Sequence, residues 1–394
     1  MVSYAAGVVA ARVGDEMSGP ALMLAGYAVA GSAAEASALL AGITAAAAAG
    51  GPVLGAVLDR QRRPGRLLAA SLVLYAIGLA MILVGLGRLP FAVTVLIAVL
   101  TGLLGPALSG GWTGQLPRVV PADRLPRANA LDAMTFGMAS LAGPVLAGSV
   151  TQALGASTAV VVSAALIGSA APAAWILPGR PERVRDARRG SLISDLVAGL
   201  RAIAGKPRLA RATLTSAVCC VAQGMLTACV PLLGDRVLGG AGRGALLLSC
   251  AAVSALVANA VLARFPQSVT PDSIIWGAAL IQAGALALAA TGRPAALAPA
   301  LLLAGIGEGP QLTALFAVRH REAPEHLRGQ IFTTGASLKI TGFASGAAIA
   351  GPLAAWSLTG TLATAAGVAA LAAPAFLAVP LDAVGRPEES VLPD

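Results

Sequence analysis

The sequence is poor in charge. Charged residues make up 11% of its 394 residues, whereas soluble domains carry about 25%. Hydrophobic residues reach 57%, and a soluble chain of that content would lack the polar surface it needs. In a bilayer, apolar side chains can face lipid. The apolar runs are continuous, without the alternation of a membrane β-barrel. The composition therefore predicts an all-α membrane protein.

Other scarce features exclude whole classes of function. No Gly-x-x-x-x-Gly-Lys-Ser/Thr segment is present, so ATP-driven transport is not encoded. The polar segments are too short to hold an enzyme domain. The four cysteines lie in apolar runs, and the two histidines, His320 and His326, lie in one basic segment. That placement argues against a disulfide framework or a metal site. We expect no enzyme activity and no cofactor.

Twelve apolar runs are long enough to cross a bilayer, which takes about 20 helical residues. The first run lacks a basic segment before it and carries charge, so we expect a span and not a signal peptide. The runs fall near 4–30, 36–58, 67–87, 90–114, 128–153, 157–178, 210–234, 243–263, 272–292, 294–318, 330–357 and 359–382.

The basic residues orient these spans. If both termini are cytoplasmic, most Lys and Arg fall in cytoplasmic loops, as the positive-inside rule requires. The loop after the tenth span holds Arg319, Arg321 and Arg328. Topology thus accounts for the net charge of +9, and no nucleic-acid partner is expected. Scarce lysine beside abundant arginine and alanine indicates a GC-rich bacterial genome. We expect a multi-pass protein of the bacterial inner membrane.

The longest polar interval, 179–209, separates six spans in residues 1–178 from six in residues 210–394. It opens with a basic run, Arg180 to Arg189. The apolar residues of 192–203 then share one helical face, which predicts an amphipathic linker helix. This helix would lie on anionic lipid, and a regulatory contact is the alternative.

The two sets of six spans are faintly similar to each other. Gly55–Arg60, at the end of the second span, is similar to Asn259–Arg264, at the end of the eighth. Gly-Pro pairs recur in the fifth and eleventh spans. Internal repeats of this kind are typical of secondary transporters.

The first span carries three ionisable residues, Arg12, Asp15 and Glu16. Spacings of three and four residues put both carboxylates on the face of Arg12. Groups of this kind inside a membrane usually face a partner or a cavity. One interpretation is a self-neutralising set that allows insertion. In the other, the spare carboxylate carries a proton or binds a cationic substrate.

The tenth span carries a glutamate among glycines, in the segment Gly305–Gln311. Its glycines and Pro310 predict a broken or kinked helix. Glu308 would lie near the midplane, either facing a cavity or making a hydrogen bond between helices. We expect Lys339 to form a structural pair and Asp132 to lie at a helix end.

The loop after the second span resembles a motif of the major facilitator superfamily. It has Gly55, then Asp59-Arg60, then Gly65-Arg66, with additional residues between the last two pairs. The fold implied is the major facilitator fold, with twelve helices in two six-helix halves. The resemblance implies that Asp59 binds the N-terminal end of the eleventh span and latches an outward-open state. A carboxylate suits the positive end of a helix.

The fifth span resembles the Gly-Pro motif of exporters in this superfamily, in Gly143, Pro144 and Gly148. Arg12-Val-Gly-Asp15 and the segments before the fifth and eleventh spans resemble multidrug and siderophore exporters. In the superfamily, spans 1, 4, 7 and 10 line a central cavity. The resemblance therefore places the following residues around one space: Asp15, Gln223, Glu308 and Gln311.

The residues and the resemblance together predict a secondary transporter. We expect alternating access, proton coupling and efflux of a small amphiphilic molecule. The expected partners are lipid, protons and one small-molecule substrate, and the protein is expected to be a monomer. A nutrient uptake permease and a non-transporting membrane receptor or scaffold are the alternatives.

Overall fold

The computed structural model describes residues 2–30, 33–179, 192–238, 241–265 and 268–378. Regular structure in these segments is helical throughout. The basic run Arg180 to Arg189 lies outside them. The helices before it are α1 (Val2–Ala30), α2 (Ala33–Arg60), α3 (Pro64–Gly85), α4 (Phe91–Gly102), α5 (Leu125–Leu154), α6 (Ala156–Ser169) and α7 (Ala171–Trp175).

A second set of helices follows the basic run. The first, α8, is short and lies between two sets of membrane helices. The set comprises α8 (Leu192–Gly205), α9 (Pro207–Leu238), α10 (Ala241–Arg264), α11 (Pro271–Ala290), α12 (Pro294–Glu322), α13 (Arg328–Trp356) and α14 (Leu358–Ala378).

The predicted twelve-helix membrane fold is confirmed. In the described part of the chain, eleven helical segments have the length and apolar composition to cross a membrane. One of these runs from α4 through the π-helical turn Ala107–Gly111, and another joins α6 to α7. The charged helix α1 completes the bundle. Exposed apolar side chains cover outer faces such as that of α3, as expected for lipid contact.

Proline and glycine mark several ends of these helices. Pro64, Pro207, Pro271 and Pro294 each open a helix, a position where the missing N–H costs nothing. Between α11 and α12 the chain turns at Gly292, whose φ is 65°. This left-handed conformation suits glycine, and it permits the short connection.

Two main hydrophobic cores form, one in each set of six helices. The first contains residues of α1 to α7, including Leu72 and Trp112. The second contains residues of α9 to α14, including Leu233 and Leu301. A cavity, described below, lies between these two cores.

The two helix sets meet closely where α2 ends and α13 begins, here called the latch end. Thr333 donates to the carbonyl of Gly51 at 2.6 Å, and Ser337 donates to the carbonyl of Ala47 at 2.7 Å. A β-carbon at Gly51 would overlap Thr333 and Ser337. Small residues thus allow the two backbones to approach.

The tenth span differs from its prediction. The expected span ended at 318, with Arg319 in a loop, but α12 continues to Glu322 and Arg319 is only 2% exposed. A break or a kink was expected at Pro310, and the structure shows no break there, because α12 runs through Pro310 without interruption. Its glycines serve close packing: a β-carbon at Gly305 would overlap the α10 backbone at Ala251.

Candidate functional site

A cavity of about 600 Å³ lies between the two helix sets. Small-molecule sites commonly have volumes of this order. Its floor is at the latch end, and it extends towards the opposite end past Thr44, Thr227 and Leu248. Its charged lining comprises Asp15, Glu16, Glu308, Arg319 and Lys339.

The carboxylates of α1 face the cavity together. Asp15 accepts a hydrogen bond from the hydroxyl of Tyr75 at 3.2 Å. Glu16 accepts one from Ser140 at 3.4 Å and is exposed to the cavity. Both side chains are therefore held by neutral donors.

Glu308 reaches the cavity because of the glycines around it. A β-carbon at Gly305 or Gly309 would meet the α10 backbone, and one at Gly307 would meet α11. Two faces of α12 are thus packed against neighbouring helices, one against α10 and one against α11. The remaining face leaves Glu308 exposed to the cavity, which Lys339 of α13 also lines. This placement agrees with the cavity interpretation of Glu308.

Arg12 does not pair with Asp15 or Glu16, so the self-neutralising interpretation of α1 is wrong. Its guanidinium forms a buried ion pair with Asp132 of α5, with Nη2 and Oδ2 3.2 Å apart. It also donates to the Asp132 carbonyl at 2.8 Å and to Thr113 at 2.8 Å. The partner lies 120 residues away in the chain, beyond the reach of spacing rules.

Asp132 also differs from its prediction. It was expected at an interfacial helix end, but it lies more than a turn inside α5 and is buried. Thr113 donates to it at 2.8 Å and Tyr4 at 3.3 Å. Arg12 therefore links α1 to α5 and does not line the cavity.

Three glutamines form a chain of hydrogen bonds that begins at the cavity wall. Gln223 donates to Gln282 at 3.4 Å, and Gln282 donates to Gln311 at 3.2 Å. Gln223 and Gln282 line the cavity, whereas Gln311 is buried one step behind and donates to Cys219 at 3.3 Å. Of the two predicted glutamines, one therefore lies on the cavity wall and the other supports it.

The side chain of Asp59 joins the two helix sets at the latch end. Its oxygens accept hydrogen bonds from the backbone N–H groups of Gly329 at 3.0 Å and Gln330 at 2.8 Å. These residues begin α13, where N–H groups lack helical acceptors. A β-carbon at Gly55 would overlap Thr333 and the backbone of Gln330. Asp59 and Gly55 thus occupy positions suited to a gate.

The other predicted gate residues have different neighbours. Arg60 forms an ion pair with Asp195 of α8 at 2.7 Å. Gly65 packs against the Ala174 carbonyl, and Arg66 lies over the ring of Trp175 at 4.9 Å. Gly65 and Arg66 therefore hold α3 to α7 within one helix set.

The linker helix α8 docks beside Asp59, a contact that the sequence did not specify. The amide of Gln330 donates to the Leu196 carbonyl at 3.0 Å. A β-carbon at Gly199 would overlap the same amide. The backbone N–H of Gln330 also binds Asp59, so Gln330 contacts both α8 and the Asp59 carboxylate at the latch end. The unusual glycine in an amphipathic helix was the available signal.

The residues of the Gly-Pro motif in α5 fall into two environments. A β-carbon at Gly143 would come within 2.6 Å of the Glu16 β-carbon, so this glycine allows α5 to approach α1. Pro144 and Gly148 are exposed, and a β-carbon at Gly148 would meet nothing within 4 Å. Only Gly143 of the three contacts a cavity residue.

An aromatic row forms the cavity floor. Phe136 of α5 lies 5.9 Å from Phe316 of α12, which lies 6.0 Å from Phe332 of α13. His320 packs on Phe332 at 4.4 Å. The row crosses from one helix set to the other and closes the cavity towards the latch. Arg319 lines the same floor.

Comparisons with known proteins identify the family and the fold. The family model described as Major Facilitator Superfamily matches residues 4–339. A relative from Sinorhizobium fredii (strain NBRC 101917 / NGR234), named "Uncharacterized MFS-type transporter y4rN", is 29% identical over 301 residues, which cover 73% of this chain and 71% of the relative.

Solved structures of transporters share the fold. The human organic anion transporter MFSD10 (TETRAN) matches with a TM-score of 0.75 and 16% identity, over 95% of this chain and 98% of that one. A bacterial homologue of the iron transporter ferroportin, in its outward-facing state, matches with a TM-score of 0.77 and 16% identity, over 96% and 98%. At these identities the match concerns the fold alone.

Proposed function

Because the chain belongs to the Major Facilitator Superfamily, we propose that it is a proton-coupled secondary transporter that exports a small amphiphilic molecule. Family and fold make it a membrane transporter of a class that consists generally of carriers and not enzymes. The proton coupling, the outward direction and the kind of substrate are the proposal.

The observation that carries the proposal is the set of three carboxylates in one cavity. The cavity is lined from both helix sets by Asp15, Glu16 and Glu308. Arg12 of α1 does not neutralise them, because it is paired with Asp132. A charged carboxylate inside a membrane is costly, and binding a proton removes that cost. Proton binding and release at these groups would therefore favour different arrangements of the two halves.

Alternating access is supported by the contacts at the latch end. Asp59 binds α13 through two backbone hydrogen bonds, and aromatic side chains close the floor. In the proposed cycle, these contacts break while the opposite end closes. Rocking of two repeat halves about a central site is the usual mode of such carriers. The halves would be residues 1–178 and 210–394, joined by 179–209.

Topology follows from the basic residues. We place both termini and the latch end in the cytoplasm of a bacterial cell, because most Lys and Arg then face inside. Export is favoured by the resemblance of Gly143-Pro144 and Gly148 to the exporter motif. The protein is proposed to act as a monomer.

Purified protein in liposomes under an imposed pH gradient tests the coupling. A panel of amphiphilic dyes and metabolites is offered, and a trapped pH-sensitive dye reports proton movement. We expect active compounds to move against protons. Glu308→Gln and Asp15→Asn should lose the dependence on the gradient and keep gradient-free exchange.

The matched control is Asp123→Asn, which removes an exposed carboxylate paired only weakly with Arg124. It should behave as wild type. Flux that ignores the gradient, or that keeps its dependence in both cavity variants, would refute proton coupling. Movement of substrate together with protons would replace the exporter with the uptake permease. Binding without any flux would favour the receptor.

A further inference from the structure

Arg319 lies in the floor of the central cavity, and none of the described residues forms an ion pair with it. It is 2% exposed, and its Nε and Nη2 atoms have no hydrogen-bond acceptor. Within the described segments, no carboxylate oxygen lies within ion-pair distance of this guanidinium. Buried arginines are normally paired, because an isolated buried charge is strongly unfavourable.

The neighbours of Arg319 leave space for its guanidinium and supply no charge to it. The group lies over Gly335 of α13, where a β-carbon would overlap it. The Phe332 ring is 5.8 Å from its central carbon, at the outer limit of a cation–π contact. His320, on the same row, also has no hydrogen-bond partner on either ring nitrogen within the described segments. The floor thus offers a cation, and one glycine keeps room for it.

We propose that Arg319 is the anion-binding residue of this cavity and takes the carboxylate of a small organic acid. This inference rests on the proposed transport function and specifies its substrate class. A guanidinium matches a carboxylate through two parallel hydrogen bonds. The acid enters from the cavity, which Arg319 lines, and its carboxylate supplies the partner that the guanidinium lacks among the described residues.

The rest of the lining fits the body of such an acid. Phe136, Phe316 and Phe332 form an apolar floor beside Arg319, and Phe343 adds a further ring to the wall. Lys339 lies one helical turn beyond Gly335 on the same face of α13. The positive charge of the cavity thus lies on α12 and α13, and an acid with an aromatic or alkyl body meets both features.

The position of the carboxylates is compatible with this orientation of the substrate. Asp15 and Glu16 lie on α1, across the cavity, and Glu308 lies 11 residues before Arg319 on α12, or about 16 Å at helical rise. An acid bound at Arg319 therefore has its charge away from Glu308. Protonated Asp15 and Glu16 would not repel it.

Thermal melting of the purified full-length protein in detergent tests the proposal. The probes are benzoate, 2-naphthoate and decanoate, each compared with its neutral primary amide. Ligands that bind the folded state raise its melting temperature. We expect at least one carboxylate to raise it and its amide to have little effect. In Arg319→Gln the affinity should fall about tenfold or more, the size of a lost bond to a charged group.

Two further variants keep the test independent of folding defects. Gly335→Ala retains the charge but displaces the guanidinium, and it should weaken carboxylate binding while leaving the melting temperature without ligand unchanged. Arg319→Lys keeps a charge without the planar fork and should bind with intermediate affinity. The matched control is Arg321→Gln, since Arg321 is partly exposed and paired with Asp272 and Glu322. It should bind as wild type.

The assignment to Arg319 is overturned if no carboxylate stabilises the protein, if acid and amide stabilise it equally, or if Arg319→Gln binds the acid as tightly as wild type. Phosphatidylglycerol is tested as an additional probe. If it raises the melting temperature and none of the three carboxylates does, the ligand is a lipid headgroup and not a soluble acid. The measurement uses no gradient, so its outcome is separate from proton coupling. If the carboxylates bind but transport in liposomes does not depend on the pH gradient, proton coupling is refuted and the role of Arg319 is not. Gradient-driven flux of uncharged compounds, without acid selectivity, refutes this inference only.

Discussion

Two of the buried arginines, Arg12 in the first helix set and Arg319 in the second, have opposite surroundings. Arg12 and Arg319 are each 2% exposed. Arg12 has Asp132 and two threonines around it, and its guanidinium lies 3.6 Å from the Phe136 ring. Arg319 lies beside the same aromatic row, and two of its nitrogens have no acceptor among the residues that the structure describes. A buried charge partnered within its own set of helices holds that set together, whereas one left unpaired at a cavity is available to a ligand.

Removing the charge of Arg12 should have the largest effect. Arg12→Gln leaves Asp132 buried and unpaired, and breaking such a pair costs about 3–5 kcal/mol. Arg319→Gln, the same change at the same burial, should leave the stability of the ligand-free protein near that of wild type. The melting temperature and the yield of folded protein in detergent measure both.

A double variant sharpens this comparison. Arg12→Met with Asp132→Leu removes both charges and should recover most of the lost stability, because a buried pair is often replaceable by apolar residues. Equal melting temperatures for Arg12→Gln and Arg319→Gln would contradict the distinction between the two sites.

Asp59 is another buried charge, and the backbone N–H groups that bind it belong to the other helix set. Asp59→Asn weakens two charge-assisted hydrogen bonds to α13, each worth about 1.5–3 kcal/mol. We expect a shift away from the latched arrangement with little loss of folded protein. A cysteine introduced as Thr334→Cys, at a buried position of α13, should then react faster with a water-soluble maleimide.

The control for this experiment is again Asp123→Asn, an exposed carboxylate outside the interface. It should leave the reaction rate of the introduced cysteine unchanged. An unchanged rate in Asp59→Asn, or a loss of folded protein as large as that of Arg12→Gln, would mean that Asp59 stabilises the fold and does not control access.

The smallest expected effect concerns a glycine that positions a cavity carboxylate. Gly143→Ala forces α5 against the backbone and β-carbon of Glu16, and overpacking of this kind costs about 1–3 kcal/mol. Gly148→Ala, in the same helix, has open space and should be neutral or slightly stabilising. Melting temperature and transport by both variants are the measurements. If Gly143→Ala and Gly148→Ala gave equal melting temperatures and equal transport, the close contact of α1 and α5 at Gly143 would not be what positions Glu16.

The fold could be predicted from the sequence because its main signals are local. Apolar length marks each span, and basic loops orient it, so twelve helices follow without knowledge of their contacts. The contact of Asp59 with α13 could also be predicted, since the loop Gly55–Arg66 resembles a family motif that implies it. The ion pair of Arg12 with Asp132 could not be predicted from the sequence. Arg12 has acidic neighbours at helical spacing, yet its partner Asp132 comes from a different helix.

Arg319 was missed for a related reason. Its charge, beside Arg321 and close to the end of an apolar run, indicates a cytoplasmic loop under the positive-inside rule. Helix α12 extends through it, and packing against Phe332 and Gly335 brings it into the cavity floor. No local pattern distinguishes an arginine that orients a span from one enclosed by the next helix. The buried position of Gln311 behind Gln282 likewise depends on packing between helices.

The linker helix α8 has a mechanical consequence. It is a rod of 14 residues, about 21 Å long at helical rise. Near its start it is fastened to α2 through Asp195 and Arg60 and to α13 through Leu196 and Gln330. At its other end, Ile203 shares a small core with Leu209 of α9. Because α8 contacts both helix sets, it resists their separation. The latch end can open only after the contact of α8 with α2 or its contact with α13 breaks.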